Sequence, residues 1–131
     1  MKLRSKLFIV TAALLILFTL LPLSADCRNA LAQKQSDGVK VTFVEIGAAK
    51  CIPCKAMQPI MKEVAEEYKG QVKVVFHDVW TPKGKEDATK YNIRMIPTQV
   101  FLDKSGKEYF RHEGYYPKAD VVRVIKMQGV K

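Results

Sequence analysis

The chain has 131 residues and a formal net charge of +9, a length that suits one domain. Three cysteines are too few for a fold stapled by several disulfides. The charges are scattered in sign with no long basic run, which describes a solvated basic surface and gives no footprint for a nucleic-acid partner.

The first segment to be read is a leader. Met1 to Lys6 carries Lys2, Arg4 and Lys6, and Leu7 to Leu23 contains no charge. A basic start followed by an apolar run describes a secretory signal peptide over residues 1–32. Ala30-Leu31-Ala32 offers a cleavage site before Gln33, with Leu23-Ser24-Ala25 a poorer one. The alternative is an uncleaved anchor, although seventeen uncharged residues are barely enough to span a bilayer and Pro22 falls near their end. Lipidation at Cys27 is a further alternative, disfavoured by Asp26 directly before it. In each case the remainder is expected outside the cytosol, in the periplasm, soluble or tethered to the inner membrane. Residues 1–32 hold four basic residues and one acid, so cleavage would reduce the net charge to +6 and leave Cys51 and Cys54 as the two cysteines.

Residues 33–131 then read as one α/β domain. Val39 to Gly47, VKVTFVEIG, predicts a strand buried on both faces. Met57, Ile60, Met61, Val64, Ala65 and Tyr68 recur at i, i+3, i+4, i+7, i+8 and i+11, one stripe on a helix from about Cys54 to Tyr68. Pro59 lies inside that helix, off the stripe, and is expected to kink it. Val72 to Trp80 predicts a second strand and Lys83 to Tyr91 a weaker, polar helix. Thr98 to Leu102 is a third strand, Asp103-Lys104-Ser105-Gly106 a turn, and Lys107 to Arg111 a fourth strand. Pro117 to Met127 closes the chain with a helix whose apolar face holds Val121, Val122, Val124 and Ile125. The order β-α-β-α-β-β-α predicts parallel strands joined by crossover helices, followed by an antiparallel hairpin.

The segment AAKCIPCKAMQP places Cys51 and Cys54 two residues apart where the first strand meets the first helix. A structural zinc site needs four ligands, and His77 and His112 are far apart and unspaced for one, so no metal is expected. A helix start carries unpaired N–H groups and partial positive charge, which stabilise a thiolate. Cys51, ahead of the helix, is expected to be the exposed and more acidic thiol. Cys54, one turn in, is expected to be the buried partner that resolves a mixed disulfide, and Pro53 pre-sets the first turn.

Cys51-Ile52-Pro53-Cys54-Lys55, with Pro59 five residues after Cys54, resembles the active-site segment of the thioredoxin family. The resemblance extends through Lys90 to Thr98, where Ile96-Pro97-Thr98 matches the segment that in thioredoxins sets a cis proline beside the disulfide. It implies a thioredoxin-like fold, a central mixed sheet of about four strands flanked by helices. It also implies a protein-disulfide oxidoreductase with no cofactor beyond the Cys51–Cys54 disulfide, acting as a monomer. Ile52, Pro53, Ile96 and Pro97 would bind extended substrate.

Glu45, six residues before Cys51 on a core strand, matches the position of a buried family acid, usually Asp, that helps move the proton of the inner cysteine. Exported reductases of the cytochrome-maturation kind commonly have Glu there, in keeping with the leader. The alternative is a strand-end carboxylate that reaches solvent. Other residues depart from the family pattern: Lys50 stands where Trp is usual and Ile52 where Gly is usual. Both positions tune redox poise and partner choice. His77 and His112 are expected at the surface or in packing, and Trp80 as a core or rim aromatic. Tyr109, Phe110, Tyr115 and Tyr116 are expected to pack. The resulting expectation is an exported oxidoreductase, more often reducing, with protein thiols and disulfides as substrates and a membrane protein as electron donor. The alternative is a binding module that captures copper or a client through the same thiols.

Overall fold

The computed structural model describes residues 38–131, so the expected leader and Cys27 lie outside the described residues. Seven elements follow one another: β1 (Val41–Gly47), α1 (Ile52–Glu67), β2 (Val72–Asp78), α2 (Pro82–Thr89), β3 (Thr98–Asp103), β4 (Glu108–Glu113) and α3 (Lys118–Lys126). They form one mixed sheet in the order β2-β1-β3-β4 with helices packed on it.

β1 lies inside the sheet and is buried along nearly its whole length, as its run of β-branched and apolar residues predicts. β2 is apolar as well but occupies a sheet edge, so most of its residues stay half-buried. The expected parallel crossover holds for β1 and β2, which pair from Val41↔Val72 to Gly47↔Asp78. It does not hold for the next connection, because β3 lies on the far side of β1 and runs antiparallel to it. The reason lies in the length of α2. Eight residues of helix advance only about 12 Å, and the irregular stretch Lys90–Pro97 carries the chain back to the end of the sheet where it left β2. Asn92, at φ 47°, supplies a left-handed residue within that return.

Two apolar clusters divide along the alternation of the strands. Val41 and Phe43, with Val72, Val74, Phe76 and Phe101, face Met57, Ile60, Met61 and Val64 of α1 and Val121, Val124 and Ile125 of α3. Phe43 and Phe101 stack across β1 and β3 with ring centroids 4.9 Å apart. On the other face Val44, Ile46 and Val100 meet Ala88 of α2. Pro59 sits inside α1 without an N–H to donate to the carbonyl of Lys55.

The start of α2 is tied to the end of β2. Thr81 caps the helix, its hydroxyl accepting from the Gly84 N–H at 3.0 Å and donating to the Asp78 carbonyl at 2.8 Å. That geometry leaves no space for a side chain at Gly84: a Cβ there would lie 2.0 Å from the Asp78 carbonyl oxygen. Gly84→Ala must therefore push backbone against backbone. The expected result is a loss of about 1–3 kcal/mol, the usual cost of overpacking, read as a lower urea midpoint. An unchanged midpoint would show that the α2–β2 contact is loose.

Candidate active site

Four chain ends meet at one rim of the sheet. β1 and β2 end there because they are parallel, β3 begins there because it is antiparallel to β1, and β4 ends there because it pairs antiparallel with β3. The loop Ala48–Cys51, the loop from Val79 to Thr81, the segment Met95–Pro97 and the turn at Gly114–Tyr115 therefore become neighbours. Backbone bonds stitch them together: Val79 N–H donates to the Gly47 carbonyl at 2.9 Å, and Gly114 N–H to the Pro97 carbonyl at 2.7 Å. The Asp78 carboxylate accepts from the Trp80 N–H at 3.0 Å and, more weakly, from the Ala49 N–H at 3.4 Å.

A disulfide joins Cys51 and Cys54 at this rim, with Cα atoms 5.2 Å apart. Cys51 is the N-cap of α1, in extended conformation, with no side-chain bond closing the first turn and no acid within it. The N–H groups of Ile52 and Cys54 have no acceptor within the helix, so the positive end of the helix dipole lies at Cys51. Pro53 fills the second position of the first turn. The two sulfurs are placed unequally. Cys51 is half-buried, whereas Cys54 is fully buried. Cys54 reaches that depth because β1 ends in Gly47: a Cβ on Gly47 would stand 3.2 Å from Cys54 Cβ and 3.3 Å from its Sγ. Gly47 is thus the residue that lets the inner cysteine lie against the central strand.

Glu45 lies two residues back on the same face of β1 and is fully buried, so it is not a carboxylate that reaches solvent at the strand end. Its register neighbours are Phe76 on β2 and Gln99 on β3. No cation approaches it among the described residues, and its two carboxyl oxygens have no hydrogen-bond partner of ordinary geometry. Burial pushes its pKa up from 4.5 to about 8, against a lowering by the Gln99 amide, which lies beside the carboxyl but outside ordinary hydrogen-bond geometry.

Of the other residues singled out in the sequence, Pro53 and Ile52 sit at the start of α1, and Ile52 is 82% exposed. The Ile96–Pro97 peptide bond is cis. Pro97 is buried and Ile96 half-buried, directly ahead of the first paired residue of β3. The backbone of Ile96 thus lies outside the sheet ladder. Lys50 is exposed beside Cys51. His77 and His112 are not brought to the disulfide: His77 lies 3.5 Å from Asp87 on the α2 side, and His112 stacks on Tyr116 at 4.1 Å. Among the described residues no group of three or more His, Cys, Asp or Glu side chains comes together to hold a metal. A groove of about 440 Å³ lies on the α2 side, lined by Val79, Lys85, Ala88, Thr89, Asn92 and Ile93, and holds none of the site residues.

Residues the sequence reading did not assign to the site also appear at the rim. Trp80 is 60% exposed, and Met95 and Tyr115 are half exposed. With Ile52, at the start of α1, they supply exposed apolar surface at each of the four chain ends that meet at this rim. Tyr115 therefore departs from the packing expected for the aromatic cluster, while Tyr116 and Phe110 do pack. The available signal was a large aromatic or Met in a connection directly flanking a strand, which sequence alone does not separate from core. Gln99 was missed as well, because it becomes Glu45's neighbour only through the β1–β3 register.

The sequence profile of the thioredoxin-like domain family matches residues 27–128. Thioredoxin C-2 of Corynebacterium nephridii is 35% identical over 89 residues, covering 68% of this chain and 80% of that protein. Thioredoxin 1 of a Nostoc species is 31% identical over 98 residues, covering 75% of this chain and 89% of that one. Among solved structures, chloroplastic thioredoxin z superposes with a TM-score of 0.62 at 28% identity, covering 79% of this chain and 90% of the other. A thioredoxin variant from Halobacterium salinarum shares the fold at a TM-score of 0.63, with 23% identity.

The raised pKa of Glu45 has a consequence for stability. Unfolded, the carboxyl ionises near 4.5; folded, it holds its proton until about pH 8. Between these values the folded state binds more protons, so stability falls as pH rises, by up to about 1.4 kcal/mol per pH unit. Glu45→Gln removes this slope. In urea titrations of the oxidised protein, the variant should gain on the parent from about pH 5 upward and reach an advantage on the order of 4 kcal/mol by pH 9. Parallel stability–pH curves would show that Glu45 ionises normally in the fold.

Proposed function

The chain belongs to the thioredoxin family and is a thiol–disulfide oxidoreductase, and from that premise we propose how its site works and where. The observation that carries the reading is the unequal placement of the two sulfurs, Cys51 at the surface on the helix start and Cys54 buried against Gly47. The Cys51 thiolate attacks one sulfur of a substrate disulfide, forming a Cys51 mixed disulfide and releasing the other substrate sulfur as thiolate. The Cys54 thiolate then attacks Cys51, closing the Cys51–Cys54 bond and releasing the second substrate thiolate. Two electrons pass from the protein dithiol to the substrate.

Cys54 must lose a proton for the second step, and Glu45 takes it. A carboxyl near pKa 8 is closely matched to a thiol near 8.5, so the proton moves between them at little cost. Substrate lies extended across Ile52, Pro53, Ile96 and Pro97, where the Ile96 backbone stands clear of the sheet.

We further propose that the protein works as a monomer outside the cytosol and in the reducing direction. The basic start and uncharged run of residues 1–32 support export, and a Glu rather than Asp at position 45 is in keeping with exported reductases. Reduction there requires a membrane dithiol donor, with apocytochrome cysteines or other oxidised proteins as acceptors.

The experiment that tests the direction is the redox potential of the Cys51–Cys54 couple in a glutathione or dithiothreitol series. A value near that of thioredoxin, about −270 mV, is expected, and one near about −120 mV would make the protein an oxidant. An alkaline phosphatase fusion after Lys40 should be active, and an inactive fusion would overturn export.

Two substitutions test the division of labour. Cys51→Ser should abolish disulfide turnover, whereas Cys54→Ser should accumulate mixed disulfides with partners in the cell envelope. Equal trapping by Cys51→Ser would reverse the roles. Glu45→Gln should retain alkylation of reduced Cys51 and turn over about ten to a hundred times more slowly. That deficit should shrink above about pH 8.5 as Cys54 ionises unaided. Wild-type rates across this range would remove Glu45 from the mechanism.

A further inference from the structure

Gln99 is a buried polar residue for which the mechanism above has no use. Three polar or charged residues are fully buried among those described: Glu45, Thr98 and Gln99. Thr98 points to the opposite face of β3 and donates its hydroxyl to the Met95 carbonyl at 2.6 Å. Gln99 has no such outlet. Both its amide nitrogen and its amide oxygen lack a partner of ordinary geometry, as do both oxygens of Glu45. An unpaired amide in apolar surroundings bears its desolvation penalty uncompensated, and its neighbours Val100 and Phe101 show that the strand readily takes apolar residues. Stability alone gives no reason for an amide here.

The surroundings identify what the amide faces. β2 presents Phe76 beside Glu45. On this face α1 contributes Cys54, held in the disulfide, and Met57, while α3 contributes Val121, Val124 and Ile125. Tyr109 of β4 is spent on the Val124 carbonyl at 3.2 Å. β4 places His112 opposite Gln99, but that ring stacks on Tyr116 and its Nε2 lies 3.2 Å from the Tyr115 carbonyl. Among the described residues Glu45 is therefore the ionisable group left facing Gln99.

We propose that Gln99 is the positioning residue for the Glu45 proton. A primary amide carries an acceptor and two donors on one plane. The register sets the amide beside the carboxyl. A small rotation of either side chain lets its carbonyl accept from the carboxylic acid and, after ionisation, its NH2 donate to the carboxylate, so one side chain serves both protonation states. The second bond favours the charged form and holds the carboxyl below the value that burial alone would impose. The inference rests on Glu45 being the proton acceptor for Cys54, but its test need not.

The carboxyl of Glu45 can be followed directly by carbon-13 NMR of oxidised protein labelled at glutamate, in which neither Cys51 nor Cys54 titrates, with Glu45→Gln assigning the resonance. Gln99→Leu should raise the midpoint by about one pH unit or more. Gln99→Met, flexible and close in length, provides the same reading should Leu not fit. In both, the pH dependence of turnover should move upward with the carboxyl, while alkylation of reduced Cys51 stays unchanged. A midpoint that does not move in either variant overturns the inference, because a merely structural Gln99 would alter the urea midpoint alone. A midpoint that moves while the turnover profile stays in place supports Gln99 as the positioning residue and overturns instead the assignment of Glu45 as the base.

Discussion

The antiparallel pairing of β3 against β1 is the constraint on which the site depends. Parallel β1 and β2 by themselves would bring only the Cys51 loop and the Trp80 loop to one rim. Because β3 starts where β1 ends, the cis-proline segment arrives at the same rim, and the hairpin then delivers Gly114 and Tyr115 beside it. The same register sets Gln99 against Glu45. A one-residue slip would turn Gln99 to the α2 face and bring Thr98 or Val100 into its place. The slip is prevented by the core itself, since it would also pull Phe101 off Phe43.

The buried carboxyl shows how a destabilising feature is retained in such a frame. Placing Glu45 between Phe76 and Gln99, with no cation nearby among the described residues, leaves it neutral at pH 7 for most of the time. A neutral acid costs far less to bury than a carboxylate. The remaining cost is borne by the flanking apolar positions, each of which stabilises by roughly 1.5–3 kcal/mol when fully buried. Val41, Phe43, Val44 and Ile46 surround the acid on its own strand. The strand can therefore hold one ionisable group at the depth of the inner cysteine without losing its place in the sheet.

Much of this arrangement was legible in the chain. The stripe from Met57 to Val64 has a helical period, and the order of elements follows from alternating runs and breakers. The cysteine pair falls at a strand-to-helix junction that fixes its helix-start position. Three things were not legible, each for a physical reason. The direction of β3 is set by where the chain is after α2 and its irregular return, and strand order along a sequence carries no direction. The exposure of Trp80, Met95 and Tyr115 depends on the meeting of four loops, and an amphipathic aromatic reads alike at a rim and in a core. Gln99 sits in TQVFLD, where neither alternation is cleanly apolar, so only the register with Glu45 gives it meaning.

Two sets of residues at this site are held in different ways. Lys50, Trp80, Met95 and Tyr115 project from connections around the disulfide, Ile52 from the first residue of α1, and all five are exposed. Substituting such residues ordinarily changes stability by no more than about 0.5 kcal/mol, so what they meet on a partner is free to vary. Gly47, Glu45 and Gln99 stand on paired strands, in close-packed surroundings where even a methyl group is felt. Gly47 is the clearest case, because a Cβ there would stand 3.2 Å from the inner cysteine's Cβ and 3.4 Å from Phe76, so the cysteine must shift by a few tenths of an ångström to admit it. On the proposed reading, the loop residues select partners and the strand residues carry the proton chemistry. The departures at Lys50 and Ile52 from the usual family residues then bear on partner choice and on Cys51, whereas the path of the Cys54 proton is set by the sheet.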